Sequence, residues 1–574
     1  MLDPSEFQFG PLLIGPNRTR FRLWAPAADR VFVTVGNREH ELSAGNGGWH
    51  EAEVECAAGT RYRFRIGDTL VPDPASRMQE KDVHDPSVVT DSTEYRWRCS
   101  GWKGRPWQEA VLYELHPGLL GGFVGIEKHL ERLADLGVTA IELMPIADFP
   151  SRRNWGYDGV LPFAPDRAYG TPDQLKALID AAHERELMVL LDVVYNHFGP
   201  DGNYLSLYAP QFFDETKRTP WGAAINFGQP EVRRFFTENA IYWLKEFRFD
   251  GLRFDAVHAI CDKAFLPELA REIRAAVRDR QVHLVLENDD NDAGLLRDGY
   301  DAQWDDDLHH VIHVLLTHET RGYYEDYARD AAANLSRGLS EGFIYQGDPS
   351  PFRGGTLRGS CAKGLSPTAF VSFLQNHDQV GNRAFGERLT SLTDPMKLEA
   401  AIALQLLAPQ IPLIFMGEES GAREPFLYFT DYSDPKLAAA VREGRREEFA
   451  KFPEFADDAK GARIPDPNAL TTFEMSRPDF ADNARSDLYR HLLRIRRERV
   501  VPFLKGAVSE KAQAIAPSAV TATWRLSGGK RLILACNLGD EPVPAKLPTG
   551  KPVWGDPAQE AIPPCTTLAW IFGA

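Results

Sequence analysis

Between Ala110 and Gly417 the sequence alternates short apolar segments with longer amphipathic ones. Short apolar runs are typical of strands buried on both faces, and the longer segments have the apolar spacing of helices. Eight strands that alternate with helices are the pattern of a (β/α)8 barrel, so an α/β fold of the TIM-barrel class is predicted. The strand-like segments are 110–116, 138–146, 187–195, 251–256, 283–287, a segment near Gln303, 369–375 and 412–417.

The helical segments have recognisable starting residues. Thr171 is a suitable N-cap, and Pro230 stands where the first turn of a helix tolerates proline. The predicted helices are 125–137, 171–186, 230–247, 263–278 and, after the barrel, 486–499.

Both ends of the chain show strict alternation of apolar and polar side chains, which is typical of half-buried antiparallel strands. The segments 21–26, 30–35 and 61–66 have this period of two, and the pattern returns after about Val500. We therefore predict a (β/α)8 barrel flanked by two β-sandwich domains. The predicted domains are an N-terminal β-sandwich at 1–95, the barrel at 96–485, and a linker helix with a C-terminal β-sandwich at 486–574.

The formal net charge of −17 argues against a nucleic acid or an anionic membrane as the partner, because both attract positive charge. The first residues lack a basic stretch followed by an apolar one, so no secretion signal is expected. No apolar run reaches the ~18 residues that span a bilayer. The six cysteines are scattered without metal-binding spacing, so reduced thiols and a cytoplasmic location are expected.

Four acidic residues stand at or next to the ends of predicted barrel strands: Asp192, Asp255, Glu287 and Asp378. In this fold the strand ends meet on one face, where reactive groups collect. A single acid at a strand end is usually a helix cap or an ion-pair partner, but four of them on four strands favour a shared site. Two carboxyl groups that face a glycosidic bond are sufficient to cleave it, so sugar chemistry is predicted.

The neighbours of these acids suggest separate roles. Arg253 precedes Asp255 by two residues and so lies on the same face of its strand, where it stabilises the ionised carboxylate that a nucleophile requires. Glu287 ends the apolar run LVLE, where desolvation raises the pKa of a carboxyl, as a general acid requires. Asp378 follows His377 and is placed to stabilise a positively charged transition state.

Other motifs give weaker indications. Tyr157 in WGYDG is a candidate platform for a sugar ring, whereas packing is the favoured role of Trp155 and Trp221. DDNDAG at 289–294 resembles the start of a calcium loop but lacks the later glutamate. GGTLRG at 354–359 lacks the lysine of a phosphate-binding loop. We therefore predict neither a metal site nor a cofactor.

Four motifs together resemble the short signatures of the α-amylase superfamily (glycoside hydrolase family 13): DVVYNH, GLRFDAVH, LEND and QNHDQVGN. The resemblance implies that Asp255 is the nucleophile, Glu287 the acid/base and Asp378 the stabiliser of the transition state. It also implies retention of anomeric configuration through a covalent glycosyl-enzyme, with the two carboxyls about 5 Å apart. The residues that it implies for binding the sugar are Tyr157, Asp158, Asp192, His197, Arg253, His258, Asn376 and His377.

Longer segments are similar to a branch of this superfamily that releases trehalose: 71–89, 154–176, 287–291, 375–384 and 416–432. The similarity implies hydrolysis of the α-1,4 bond that joins a maltooligosaccharide to a terminal trehalose unit, as a step of trehalose biosynthesis. The expected partners are maltooligosyltrehalose and related α-glucans, with maltooligosyltrehalose synthase as a functional partner. Ser420 and Tyr432 depart from the residues expected in that branch, which bears on the preference for the departing sugar.

Two other functions stay open at this point. A glycogen branching or debranching enzyme of the same superfamily also has a β-sandwich before its barrel. A non-catalytic glycan-binding protein is the second alternative, and the presence of Asp255, Glu287 and Asp378 argues against it. The sequence leaves the oligomeric state and the preferred chain length of the substrate undetermined.

Overall fold

The computed structural model describes residues 7–219, 222–450, 463–557 and 560–573, which form three regions in chain order. A closed parallel barrel is flanked on both sides by antiparallel sheets, so the predicted fold class is confirmed. Trp221, one of the weaker candidates for sugar contact, lies outside the described residues.

The N-terminal region consists of antiparallel strands: β1 Leu12–Gly15, β2 Arg18–Trp24, β3 Val31–Val35, β4 Arg38–Ala44, β5 Trp49–Val54, β6 Arg61–Ile66, β7 Thr69–Val71 and β8 Ser87–Val88. One layer contains β1, β2 and β5, the other contains β3, β6, β7 and β8, and β4 pairs with both. Phe21 of β2 and Tyr62 of β6 meet between the layers, with ring centroids 4.7 Å apart. Alternating side chains of both layers thus bury a common core.

The middle region contains the strands β9 Leu112–Leu115, β10 Ala140–Leu143, β11 Ala147–Asp148, β12 Leu161–Pro165, β13 Met188–Val193, β14 Phe213–Thr219, β15 Gly222–Ile225, β16 Gly251–Phe254, β17 His283–Leu286, β18 Ala302–Trp304, β19 Asp348–Ser350, β20 Thr356–Arg358, β21 Phe370–Phe373 and β22 Ile411–Phe415. The closed barrel has the order β9, β10, β13, β16, β17, β18, β21, β22, and every neighbouring pair is parallel. All eight predicted strands are confirmed, and the prediction was possible because strands covered on both faces are mostly apolar.

The helices of the described chain are α1 Gly122–Glu127, α2 Leu130–Leu136, α3 Pro172–Glu184, α4 Leu205–Tyr208, α5 Pro230–Glu246, α6 Phe265–Ala276, α7 Ala293–Arg297, α8 Asp306–Thr317, α9 Glu325–Ala328, α10 Ala331–Glu341, α11 His377–Gly381, α12 Leu389–Leu392, α13 Pro395–Leu407, α14 Pro435–Ala450, α15 Leu470–Met475 and α16 Ala484–Ile495. Thr171 caps α3 as predicted, in a complete capping box with Gln174. The single helix predicted at 125–137 is wrong in one respect, because it is divided into α1 and α2 at Lys128 and His129. Within the described residues, none of these helices is long and apolar enough to cross a membrane.

The C-terminal region is a four-stranded antiparallel sheet of β23 Val508–Ala516, β24 Ala519–Arg525, β25 Arg531–Asn537 and β28 Thr566–Phe572, beside the short pair β26 Val543–Pro544 and β27 Ala561–Ile562. Trp524 of β24 is fully buried and donates to the carbonyl of Leu339 at the end of α10. The other face buries Trp570 with Ile562 and Leu568. We keep the domain boundaries after residues 95 and 485 as a proposal.

The segment that follows β13 connects the barrel to the N-terminal sandwich. His84 and the hydroxyl of Tyr204 lie at hydrogen-bonding distance, 2.8 Å. The Ala27 N–H donates to the carbonyl of Tyr208 at 3.0 Å. Trp24 packs edge-on against Phe212, with centroids 5.5 Å apart. This segment therefore begins at the end of a barrel strand and packs against the N-terminal sandwich.

Candidate active site

The guanidinium of Arg253 lies at the C-terminal end of the barrel strands and pairs with three carboxylates. Its Nη1 donates to Asp192 Oδ2 at 2.7 Å and to Asp255 Oδ1 at 2.8 Å, and its Nη2 donates to Glu287 Oε2 at 2.8 Å. Arg253 is fully buried, and its guanidinium carbon lies 4.2 Å from the ring centroid of Trp304. Because β13, β16 and β17 are neighbouring parallel strands, the three carboxylates at their C-terminal ends lie close to the same guanidinium.

The carboxyl of Glu287 is fixed by the turn that follows Asp255. Ala256 has a φ of +39°, in the left-handed region that residues with a side chain rarely occupy, and its N–H donates to Glu287 Oε2 at 2.9 Å. Burial raises the pKa of Glu287, the charge of Arg253 opposes this rise, and the charge of Asp255 adds to it. The net direction is upward, so Glu287 holds its proton at a higher pH than an ordinary glutamate, as a general acid must.

The carboxylate of Asp255 is oriented through both of its oxygens. Arg253 donates to Oδ1, and the Asn196 side-chain amide donates to Oδ2 at 2.8 Å and to the Asp255 carbonyl at 3.0 Å. Asn196 is buried and belongs to the DVVYNH motif. Two donors, one on β16 and one in the segment after β13, thus hold the predicted nucleophile in one orientation.

The Tyr157 hydroxyl bridges two further predicted site residues. It donates to Asp192 Oδ2 at 2.7 Å and lies 2.7 Å from His377 Nε2, while its ring stacks on the imidazole of His377 with centroids 5.0 Å apart. Burial raises the pKa of Asp192 to about 7, although Arg253 acts in the opposite direction. Tyr157 is half-buried, and its contacts with Asp192 and His377 place its ring among the predicted site residues.

Asp378 is the most exposed of the three predicted catalytic carboxylates. Its side chain is 36% exposed, and its Oδ1 lies 3.5 Å from His377 Nε2. Asn382, one turn further along α11, donates to the same oxygen at 3.2 Å. Asp378 therefore faces the open side of the site.

A cavity of about 260 Å³ opens beside Glu287 and Asp378. Two aromatic side chains in its wall remain accessible: Phe352 is 52% and Tyr323 39% exposed. Aromatic faces together with charged and amide groups are what a sugar ring with its hydroxyls requires. The remaining wall is polar or aromatic, and its members are His258, Asp289, Asp306, His310, Asp326, Tyr327, Arg353, Arg358, Gln379 and Asn382.

Two arginines fix the outer wall of this cavity. Arg358 Nη2 lies 2.9 Å from Asp289 Oδ1, and Arg353 pairs with the same carboxylate. Arg358 Nη1 also pairs with Asp307 Oδ1 at 3.0 Å. The β19–β20 pair carries both arginines, so this small sheet is tied to the loop that follows Glu287.

The two histidines predicted to bind sugar occupy different positions. His197 Nε2 lies 3.0 Å from the carbonyl of Tyr157, and burial lowers the pKa of His197 to about 4. His258 lines the cavity, and its Nδ1 accepts from the Asp289 N–H at 3.3 Å. His197 thus supports the platform Tyr157 through its backbone, and His258 lies near Glu287.

Asn376 and Asp158 have hydrogen-bond partners outside the group of carboxylates around Arg253. The amide oxygen of Asn376 is buried and accepts from the Gln379 N–H at 2.8 Å, so it caps the helix that carries His377 and Asp378. The carboxylate of Asp158 accepts from the Asn154 amide at 2.6 Å. We keep both as proposed substrate-binding residues, although the Asn376 oxygen already has a partner.

Ser420 and Tyr432, which depart from the residues expected in the trehalose-releasing branch, lie in different environments. Ser420 is buried, and its hydroxyl contacts the carbonyls of Gly417 and Asp479 at 3.0 and 2.5 Å, so it has a packing role away from the cavity. Burial and the neighbouring Asp158 carboxylate raise the pKa of the Tyr432 hydroxyl. Of the two, only Tyr432 lies next to a predicted site residue.

The segment that resembles a calcium loop uses its polar groups within the protein. Asp289 pairs with arginines, the Asn291 amide donates to Asp307 at 2.9 Å, and Asp292 caps α7. In the described part of the chain, no group of three or more His, Cys, Asp or Glu side chains is arranged to hold a metal ion.

Several residues of the site were not identified from the sequence. Phe352 and Arg353 directly precede the glycine-rich segment 354–359, whose residues gave no indication of a sugar site. Asn196 was inside a recognised motif, and its position between two motif residues was a usable signal. Glu114 was inside a predicted strand, where a buried acid that interrupts an apolar run marks a paired or protonated group.

Comparison with known proteins agrees with this geometry. A family model described as the alpha amylase catalytic domain matches residues 86–219, and one described as a domain of unknown function, DUF3459, matches residues 509–570. A solved structure from Salmonella typhimurium, described as an alpha amylase, has a TM-score of 0.93 at 42% identity and covers 98% of this chain and 99% of its own.

Curated relatives are similar along most of the chain. The malto-oligosyltrehalose trehalohydrolase of Saccharolobus solfataricus is 41% identical over 83% of this chain and 85% of its own length. The protein of the same name from Deinococcus radiodurans is 38% identical over 94% of this chain and 90% of its own. With these identities and the barrel described above, the chain belongs to the malto-oligosyltrehalose trehalohydrolase family of the α-amylase superfamily.

Proposed function

We propose that this enzyme hydrolyses the α-1,4-glucosidic bond next to the terminal trehalosyl unit of maltooligosyltrehalose and releases trehalose. The observation that carries the proposal is that one guanidinium, Arg253, holds Asp255 on one terminal nitrogen and Glu287 on the other. Two carboxyls on a single cation are close neighbours, which supports the short spacing of a retaining glycosidase.

In the first step, an oxygen of Asp255 attacks the anomeric carbon of the glucose on the maltooligosaccharide side. The bond from that carbon to the glycosidic oxygen breaks, and Glu287 transfers its proton to this oxygen as trehalose leaves. Asp378 lies next to the reacting ring and stabilises its positive charge.

In the second step, Glu287 is ionised and takes a proton from water as the water oxygen attacks the same carbon. The ester bond to Asp255 breaks, Asp255 regains its negative charge, and a maltooligosaccharide of retained configuration is released. Arg253 bonds to both carboxyls in the resting site and so balances the charge that passes between them.

The cavity beside Glu287 is the proposed site of the leaving trehalose, because a general acid lies on the leaving-group side of the bond it protonates. Phe352 and Tyr323 offer exposed aromatic faces there, and the Asp289–Arg358 pair provides charged groups for hydroxyls. Tyr157 is not among the residues that line this cavity and donates to Asp192, and we propose that the cleaved glucose lies against its ring.

Incubation with maltooligosyltrehalose tests the proposal. Trehalose and a shortened maltooligosaccharide are expected, with the new reducing end first appearing as the α-anomer by proton NMR. Transfer of chains to form new α-1,6 branches, or cleavage of α-1,6 bonds without trehalose release, would favour a branching or debranching enzyme. Binding of the substrate without cleavage would favour a glycan-binding protein.

The cellular context is proposed on chemical grounds. The six cysteines are all unpaired, which supports the cytoplasm as the location, since reducing compartments keep thiols free. A substrate that ends in trehalose must come from an enzyme that isomerises the reducing end of a maltooligosaccharide. We therefore propose a maltooligosyltrehalose synthase as the functional partner and trehalose biosynthesis as the pathway.

A further inference from the structure

Glu114 is a buried carboxylate of the first barrel strand that contacts a site residue twice. Its Oε2 accepts from the backbone N–H of His377 at 3.0 Å, and its Oε1 lies against His377 Nδ1. Glu114 is 1% exposed and lies on β9, whereas His377 is the first residue of α11. One acid thus fixes both the backbone and the ring of His377.

The hydrogen bonds around His377 determine how many protons the ring carries. Nδ1 faces a carboxylate, which only accepts, so Nδ1 must carry a proton. At the other nitrogen, the Tyr157 hydroxyl gives its single proton to Asp192 and can only accept from Nε2. Both ring nitrogens therefore act as donors, which is the pattern of an imidazolium.

We propose that Glu114 is a positioning residue that keeps His377 as an imidazolium beneath the sugar being cleaved, and that the charge orients Tyr157 and Asp378 for catalysis. The proposal rests on the proposed function, because that function places the glucose being cleaved beside Tyr157 and His377. Glu114 itself does not touch the substrate, and it acts through His377.

The charged groups that face His377 come from every neighbouring element. Burial lowers its pKa, Glu114 and Asp378 raise it, Arg253 lowers it, and the net result is a pKa of about 9. The other titratable groups are Asp192, Glu142 and His116, together with the Tyr157 hydroxyl. Because Glu114 is the largest source of the upward shift, its neutralisation should leave His377 charged only at lower pH.

Glu142 provides a matched control. It lies directly opposite Glu114 on the adjacent strand, is equally buried, and neither of its oxygens has a hydrogen-bond partner among the described residues. Burial raises the pKa of Glu142 well above its usual value, so a neutral amide is close to its native state. Glu142→Gln should therefore leave the pH dependence unchanged.

The test compares Glu114→Gln with Glu142→Gln in the full-length enzyme. Glutamine keeps the size of the side chain and an acceptor for the His377 N–H, so the thermal unfolding midpoint should change little. We expect kcat of Glu114→Gln to fall about 100-fold at neutral pH with little change in KM, and its optimum to move to lower pH. Glu114→Asp, which keeps the charge, should recover part of the activity.

A double-mutant cycle separates this role from a structural one. In a His377→Gln background, Glu114→Gln should cause no further loss. The proposal is overturned if Glu114→Gln has the wild-type pH profile, or if its loss adds in full to that of His377→Gln. If the wild-type enzyme releases no trehalose, only the proposed function is contradicted. Glu114→Gln and Glu142→Gln can still be compared on any α-1,4-glucan that the enzyme cleaves.

Discussion

Arg253 Nη2 donates a hydrogen bond of 2.8 Å to Oε2 of Glu287, the proposed general acid. Burial raises the pKa of Glu287, and this arginine limits the rise. A general acid loses activity as the pH rises through its pKa. The arginine therefore sets how far the active range extends towards alkaline pH, in addition to orienting Asp255.

Replacing Arg253 by methionine should move the basic limb of the kcat/KM profile to higher pH, because the group that lowers the Glu287 pKa is removed. At the same time kcat should fall by at least about 10²-fold, since Asp192 and Asp255 lose their shared donor. The check is kcat/KM measured across the pH range, with Arg329→Met as the control because that side chain is 94% exposed. An unchanged or acid-shifted limb would contradict this account of Glu287.

Substrates with different leaving groups should separate the roles of Asp255 and Glu287. Glu287→Gln should lose at least about 10³-fold in glucan hydrolysis but keep measurable cleavage of α-maltosyl fluoride, because fluoride leaves without a proton. Asp255→Asn should lose activity on both substrates, since the covalent step needs its carboxylate. Fluoride release by an electrode measures this directly. Equal losses of the two variants on the fluoride would remove the acid/base role from Glu287.

Arg353→Ala should weaken recognition of the trehalose end. Arg353 pairs with Asp289 in the wall of the cavity proposed for the leaving group. We expect kcat/KM for maltooligosyltrehalose to fall about 10-fold, and the value for a maltooligosaccharide of equal length to fall less. The measurement is the ratio of the two constants, with Arg329→Ala as the control. An equal loss on both substrates would place the trehalose unit elsewhere.

Substitution of Gly342, which lies outside the site, should destabilise the fold because a larger side chain has no room there. Gly342 has a φ of +84°, and a Cβ there would lie 2.0 Å from the Phe370 ring, so Gly342→Ala should destabilise the fold by about 2 kcal/mol or more. Gly364 has a similar φ of +88° but open surroundings, so Gly364→Ala should cost only about 1 kcal/mol of backbone strain. Chemical unfolding measures both, and equal costs would show that the Phe370 ring moves aside.

The barrel could be predicted from the sequence because each strand is buried on both faces and is therefore mostly apolar. Asp255 and Glu287 could be placed in one site for the same reason, since the ends of neighbouring strands lie together. The partners of Asn196 and Glu114 could be identified only in the structure, because pairing between distant segments leaves no periodic signal. The wall formed by Phe352 and Arg353 was also hidden, since it depends on a loop whose path is set by its contacts with Asp289.

The packing of the segment after β13 against the N-terminal sandwich has a consequence for the domain as a whole. Asn196 orients Asp255, and the chain that follows it reaches the sandwich through Tyr204 and Tyr208. In a truncated enzyme without the sandwich, this segment would lose the contacts that Tyr204 and Tyr208 make with it. The sandwich thus restrains the segment that orients Asp255, the proposed nucleophile, so its removal should lower kcat even where the barrel still folds.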